Sequence, residues 1–204
     1  GFRNRILDGI RNFISRYKFT NNKIFEEIKQ PADIISRLFG IIREKESKNK
    51  VYLLIDEYDH FTNEVLGSDY ELFEEIVTGT GFVRKFYEAI KIGTKDIVDR
   101  LFVTGVTPIT VDSLTSGFNI SSNLSVNLEF HNLMGFTETE TINLIKLCVE
   151  GLNIAPETVY QDMKNYYNGY LFNKNSSNRL FNSNMVLYFL MDLKNTKKYP
   201  DNIV

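Results

Sequence analysis

The stretch Val51-Tyr52-Leu53-Leu54-Ile55-Asp56-Glu57-Tyr58-Asp59 constrains this chain more than any other. Five apolar or aromatic residues run without a break, and two carboxylates follow at once. Entered from the charged segment 44–50 and left through acid, the run predicts a parallel strand buried on both faces. Asp56 and Glu57 then sit at its C-terminal edge, the edge of an open α/β sheet where strand ends and loops form a ligand crevice.

An apolar strand ending in Asp-Glu has the Walker B pattern. In that chemistry the first acid, here Asp56, holds Mg²⁺, usually through water, and the second, here Glu57, polarises the water that attacks a γ-phosphate. A strand running into a solvated turn gives the same letters, so the rest of the chain has to decide. At 204 residues with 43% hydrophobic content, the chain can bury a core as one domain, or as one domain with a small appendage. Its net charge of -2 and pI near 5.8 argue against a dedicated nucleic-acid-binding module, which carries a basic excess. Cys148 is the single cysteine, so there is no internal disulfide. With only His60 and His131 beside it, a four-ligand zinc site is excluded, and a catalytic metal would be held by oxygen. No apolar run nears the roughly eighteen residues that span a bilayer. The first apolar stretch is interrupted by Arg3, Arg5, Asp8 and Arg11 and is no signal peptide. The chain reads as cytoplasmic, with no membrane segment.

Along the chain, Ile6, Leu7, Ile10, Phe13, Ile14 and Tyr17 predict an amphipathic helix over residues 4–18, stopped near Thr20-Asn21-Asn22. Pro31 opens a second helix carrying Ile34, Ile35, Leu38, Phe39 and Ile42, which ends in the charged segment 43–50. Asp8 with Glu27-Ile28-Lys29 loosely fits a metal-dependent nuclease, but that chemistry needs these residues on strands; their surroundings are helical, and a solvated charged face accounts for them. His60 reads as a surface histidine close to the carboxylates. Leu72, Phe73, Ile76 and Val77 predict one further helix, and Phe82, Val83, Phe86 and Ile90 another. Gly79-Thr80-Gly81 is the turn between them; it lacks the Gly-Lys-Ser/Thr of a phosphate loop. Residues 101–106 predict a second buried strand with Thr104 at its tip, placed either to sense a γ-phosphate or to satisfy its own strand-end backbone. A polar, turn-rich loop follows from Thr107 to Asn119. Thr137 and Glu140 form a capping box, Pro156 starts the next helix with Gly169 past its end, and residues 182–193 form the last. Tyr160, Tyr166, Tyr167 and Tyr170 read as packing and hydrogen-bonding core.

The run from Tyr52 to Asp59, then Gly81-Phe-Val-Arg-Lys-Phe-Tyr-Glu88, Phe102 to Ile120, Met134 to Glu138 and Tyr166-Tyr-Asn-Gly-Tyr170, resembles the predicted AAA-ATPase-like family of prokaryotes, in the family's order. The resemblance implies an α/β fold: a P-loop NTPase-type parallel sheet flanked by helices, followed by a helical lid. The ATPase core would span residues 1–130 and the lid 131–204. It implies ATP and Mg²⁺ as ligands, Asp56 as the metal residue, Glu57 as catalytic base and Thr104 as sensor. Family members often continue into a nuclease-like domain, which leaves nucleic acid open as a target. The sequence departs from the family in one respect: no Gly-x-x-x-x-Gly-Lys-Ser/Thr loop occurs in it. The family places that loop upstream of the first helix, so the sheet is expected to be incomplete, the 204 residues alone inactive, and exposed apolar surface free to drive self-association. Arg84 and Arg100 read either as trans-acting arginines of a ring or as plain surface charge. The alternative to an ATPase is a non-catalytic interaction module on a degenerate ATPase fold.

Overall fold

A computed structural model describes residues 1–18, 22–45, 50–107 and 118–200. The helix stop at Thr20-Asn21, the segment 46–49 and the loop from Pro108 to Gly117 lie outside the described residues. The chain forms two compact units, Gly1–Ser121 and Ser122–Val204.

In the first unit, helix α1 (Phe2–Tyr17) buries Leu7, Ile10 and Ile14, and α2 (Pro31–Lys45) opens on Pro31 as its fixed φ favours. Strand β1 (Val51–Ile55) follows, then α3 (His60–Leu66), α4 (Tyr70–Val77), α5 (Phe82–Gly93) and strand β2 (Val98–Val103). α3 was not legible in the sequence, because His60-Phe-Thr-Asn-Glu-Val-Leu66 is too short for a helical period to stand out. Asp69 caps α4 by accepting from Leu72 N–H at 2.9 Å. The turn from α4 to α5 needs both of its glycines: Gly79 is left-handed at φ 51°, and a Cβ at Gly81 would lie 2.3 Å from the Glu75 carbonyl oxygen. The core joins α2 to α5, with Ile34, Phe39, Val83 and Ile90 among its buried residues.

β1 and β2 pair in parallel, Leu53 opposite Leu101 and Ile55 opposite Val103. The mixed helix-and-sheet architecture agrees with the α/β expectation, but burial on both faces does not hold. Val51, Leu53 and Ile55 pack on the core, whereas Tyr52 and Leu54 are 66% and 75% exposed, and Phe102 on β2 is 52% exposed. The cause is the period of two: successive side chains take opposite faces, and only one face of this two-stranded sheet meets the core. β2 also starts and ends earlier than the predicted 101–106, so Thr104 sits just past the strand.

Among the described residues, no strand pairs with the edge of β1 away from β2. Val51 N–H donates to Ile97 O, and Ile55 O accepts from Thr104 N–H, both at 2.9 Å. Residues 51, 53 and 55 therefore face β2, and the N–H and C=O groups of Tyr52 and Leu54 point the other way. Those groups have no partner among the described residues.

The second unit is mainly helical. A 3₁₀ turn at Leu128–Leu133 precedes α6 (Glu138–Val149), α7 (Pro156–Tyr167), the short antiparallel strands β3 (Asn168–Tyr170) and β4 (Leu180–Phe181), and α8 (Ser183–Thr196). Ile145, Val159, Met163, Phe181, Phe189 and Leu193 form its core. The capping box is present: Thr137 Oγ1 accepts from Glu140 N–H and Glu140 Oε2 from Thr137 N–H. Gly169 lies just past the end of α7, as expected, and already belongs to β3. Of the four tyrosines, Tyr167 is buried and Tyr160 packs partly against the core, while Tyr166 and Tyr170 are exposed. Neighbours on a helix point about 100° apart, so Tyr166 and Tyr167 cannot both face inward. Among the described residues no helix is long and apolar enough to cross a membrane.

Candidate functional site

The tips of the two parallel strands bring Asp56, Glu57 and Thr104 together, residues nearly fifty positions apart in sequence. Thr104 Oγ1 donates to Asp56 Oδ1 and accepts from Glu57 N–H at 3.3 Å. Glu57 N–H also reaches Asp56 Oδ1 at 3.1 Å. All three residues are exposed. Asp56 Oδ2 and the Glu57 carboxylate have no hydrogen-bond partner among the described residues, so both are free to meet a solute. Glu57 sits in the left-handed region at φ 50°, uncommon for a residue with a side chain.

Asp59, three residues on, is 1% exposed. It stands at the N-cap position of α3 yet accepts no capping bond from that helix. Its carboxylate turns instead to the chain leaving β2, accepting from Val106 N–H at 3.1 Å, Thr107 N–H at 2.7 Å and Thr107 Oγ1 at 3.1 Å. Asn63 Nδ2 adds a fourth donor at 2.8 Å. Burial pushes the Asp59 carboxyl up, but the amides of Thr107 and Val106 and the Asn63 side chain together outweigh it and hold the group below the usual carboxylate range. Tyr58 completes the junction. Its N–H donates to Thr104 O at 2.9 Å, its hydroxyl to Thr107 O, and its carbonyl accepts from the buried Tyr87 hydroxyl at 3.3 Å. Burial holds the Tyr87 phenol far above its ordinary range, so it stays protonated as the donor.

Gly105 makes this packing possible: a Cβ there would lie 2.2 Å from the Tyr58 ring and 2.6 Å from Asp59 Oδ1. Sequence reasoning gave Asp59 and Gly105 no role. The signal available for Asp59 was a third acid close behind Asp56 and Glu57, followed four residues on by Asn63; Gly105 carried none.

The other expected residues stand apart from this junction. His60 pairs with Glu64 on its own helix at 3.4 Å. Arg84 Nε is held by Glu88 at 3.0 Å, one turn along α5. Arg100, with a side chain 76% exposed, lies 3.7 Å from Asp99.

No three His, Cys, Asp or Glu side chains converge among the described residues. Tight all-protein coordination is thus absent from them, but Mg²⁺ sites commonly use one or two carboxylates completed by water and substrate phosphate. The free Asp56 Oδ2 fits that mode. An open groove of about 480 Å³ borders the same carboxylates, walled by Ile6, Ile10 and Phe13 of α1, by α2, and by β1. Arg5 is the one cation among its described lining residues.

A family model described as a predicted AAA-ATPase (AAA-ATPase-like) matches residues 1–115. The match takes in α1 and α2 as well as both strands, and it ends before the Met134–Glu138 and Tyr166–Tyr170 segments. No curated protein and no solved structure matches the chain.

Proposed function

The chain belongs to the predicted AAA-ATPase family, and on that premise we propose that it carries the hydrolytic half of a Mg²⁺-dependent ATPase site. The observation that supports this best is the joining of Thr104 to Asp56 and Glu57 across the ends of two parallel strands. In this reading Asp56 would hold the metal with its unpartnered oxygen. When bound, Mg²⁺ supplies charge neutralisation to the β- and γ-phosphates. Glu57, whose carboxylate is unengaged, orients the attacking water and takes its proton. The Thr104 hydroxyl, which donates to Asp56, would exchange that bond for one to the water or to the γ-phosphate. In this reading the ATPase core, expected over residues 1–130, takes in the first unit, Gly1–Ser121, and the helices from 131 onward form the lid.

The phosphate cradle is missing from these residues. Backbone N–H groups, a lysine on the β- and γ-phosphates and a hydroxyl on Mg²⁺ would come from a Gly-Lys-Ser/Thr loop, and none of the 204 residues supplies one. The chain alone is therefore expected to leave ATP intact. The test is Mg²⁺-ATP turnover by the full-length protein, with Glu57→Gln and residues 1–204 run beside it. Turnover lost in both supports the reading. A full-length protein silent even with DNA or RNA present defeats it and favours an interaction module. One observation favours that second reading: Tyr52, Leu54 and Phe102 expose apolar surface beside a strand edge that no strand pairs with among the described residues, which suits self-association or a protein partner.

A further inference from the structure

We infer that Asp59 is a positioning residue for the hydrolysis reaction: it ties the chain leaving β2 to the start of α3 and so sets the Thr104 hydroxyl against Asp56 and Glu57. The inference rests on the ATPase reading above and adds to it a residue that touches neither metal nor nucleotide.

The geometry leads to Asp59 from three sides. An aspartate at an N-cap ordinarily accepts from its own helix, whereas Asp59 gives that role up and directs both carboxylate oxygens to the other strand's exit. An acid this deeply buried is tolerated only with its lone pairs satisfied. The four donors come from two places: Val106 and Thr107 on the β2 exit, and Asn63 on α3. Asn63 joins them again, since its Oδ1 accepts from Thr107 Oγ1 at 3.2 Å. Finally, Thr104 lies only two residues before the clamped Val106, with Gly105 between them. Thr104 is itself held from the β1 side through Thr104 N–H to Ile55 O and Tyr58 N–H to Thr104 O. The backbone of Thr104 is thus fixed before and after, and its hydroxyl has little choice but the Asp56–Glu57 corner. Without the carboxylate, Val106 N–H and Thr107 N–H lose their acceptor, and among the bonds described above the exit of β2 keeps the Tyr58 hydroxyl bond to Thr107 O and the Thr107 hydroxyl bond to Asn63.

Asp59→Asn tests this, because the amide preserves shape and removes acceptor capacity: its NH₂ must face donors. Amide hydrogen exchange on residues 1–204 is the first measurement. Val106 and Thr107 are expected to exchange at least tenfold faster in the variant, with the amides of α2 and α5 unchanged; equal rates would overturn the inference. The second is a double-mutant cycle on ATP turnover in the full-length protein. Asp59→Asn is expected to lower kcat tenfold or more with KM for ATP within about twofold. Combined with Thr104→Ala it should do no further harm than Thr104→Ala alone, because Asp59 acts through that hydroxyl. Losses that multiply would show Asp59 to be merely structural and overturn the proposal. If Asp59→Asn does not fold, Thr107→Ala, which removes one donor and leaves the acid, carries the same tests with an expected threefold effect. A parent protein without turnover would sink the ATPase reading and the catalytic role of Asp59 together, while the exchange result would still decide whether the acid holds the loop.

Discussion

Gly105→Ala should damage the first unit far more than a single methyl suggests. The added Cβ would stand 2.2 Å and 2.4 Å from two Tyr58 ring carbons and 2.6 Å from Asp59 Oδ1, against the ~3.5 Å of an ordinary carbon contact. The ring cannot retreat cheaply, because its hydroxyl is bonded to Thr107 O and the backbone on either side of it is bonded to Thr104 and Tyr87. Overpacking costs about 1–3 kcal/mol, and a weakened bond to the buried Asp59 carboxylate adds roughly 1–2 kcal/mol. The expected loss is about 2–5 kcal/mol, which at a mid-range urea m-value of about 2 kcal/mol/M moves the midpoint by roughly 1–2.5 M. Urea unfolding should be followed by amide exchange in α5, so that the first unit is read separately from the second. Gly40→Ala is the control. Gly40 lies inside α2 with nothing within 4 Å of a built Cβ, and alanine there should stabilise by about 0.5–1 kcal/mol. A Gly105→Ala stability within about 0.5 kcal/mol of the parent would refute the close packing of the two strand exits, and a loss at Gly40 of the same size as at Gly105 would refute the steric cause.

Two other predictions concern regions away from that junction. Thr137→Ala removes the cap of α6 and should cost about 1 kcal/mol by thermal or urea unfolding of the second unit. Bonds from the Thr137 backbone and side chain lower the Glu140 pKa below its ordinary 4.5; a depressed folded value stabilises above the unfolded pKa and loses that contribution as pH falls through the folded one. The gap between parent and variant should therefore narrow in acid, and a gap independent of pH from 7 to 3 would contradict the capping box. Leu54→Lys, at a side chain that is exposed and packs on nothing in the core, should leave stability within about 0.5 kcal/mol and reduce any concentration-dependent association seen by sedimentation velocity. Unchanged association would place the contact elsewhere.

How far the sequence could be read depended on the range of the interaction involved. Helices α1, α2, α4 and α5 announced themselves because each carries at least two turns of apolar period, and the Thr137–Glu140 cap is a signal contained in four residues. The pairing of β1 with β2 was legible in kind, since two apolar runs separated by helices favour parallel pairing. Burial of both faces was not, because Tyr52, Leu54 and Phe102 are as apolar as Leu53, and only the placement of the surrounding helices decides which side is covered. At the site, Asp56 and Glu57 stood out as an abrupt change of character at a strand end, and Thr104 through its position on the neighbouring strand. Asp59 and Gly105 did not stand out, because their roles are contacts made across more than forty residues of chain.

The left-handed backbone at Glu57 has an evolutionary reading. Among the described residues the other left-handed positions are Lys18 and Lys197, each closing a helix, and two glycines, Gly79 and Gly151. Glu57 closes no helix and is not glycine, so it holds a conformation that its own side chain disfavours, at about 1–2 kcal/mol. Glu57→Gly would shed that strain while adding about 0.4–1 kcal/mol of freedom to the unfolded chain, leaving the protein as stable as before or more stable by up to about 1.6 kcal/mol. A position at which deleting the side chain improves the fold is one that selection for folding alone would have emptied. If Glu57→Gly proves more stable than the parent, the carboxylate at residue 57 is kept at the expense of the fold, as the role proposed for it requires.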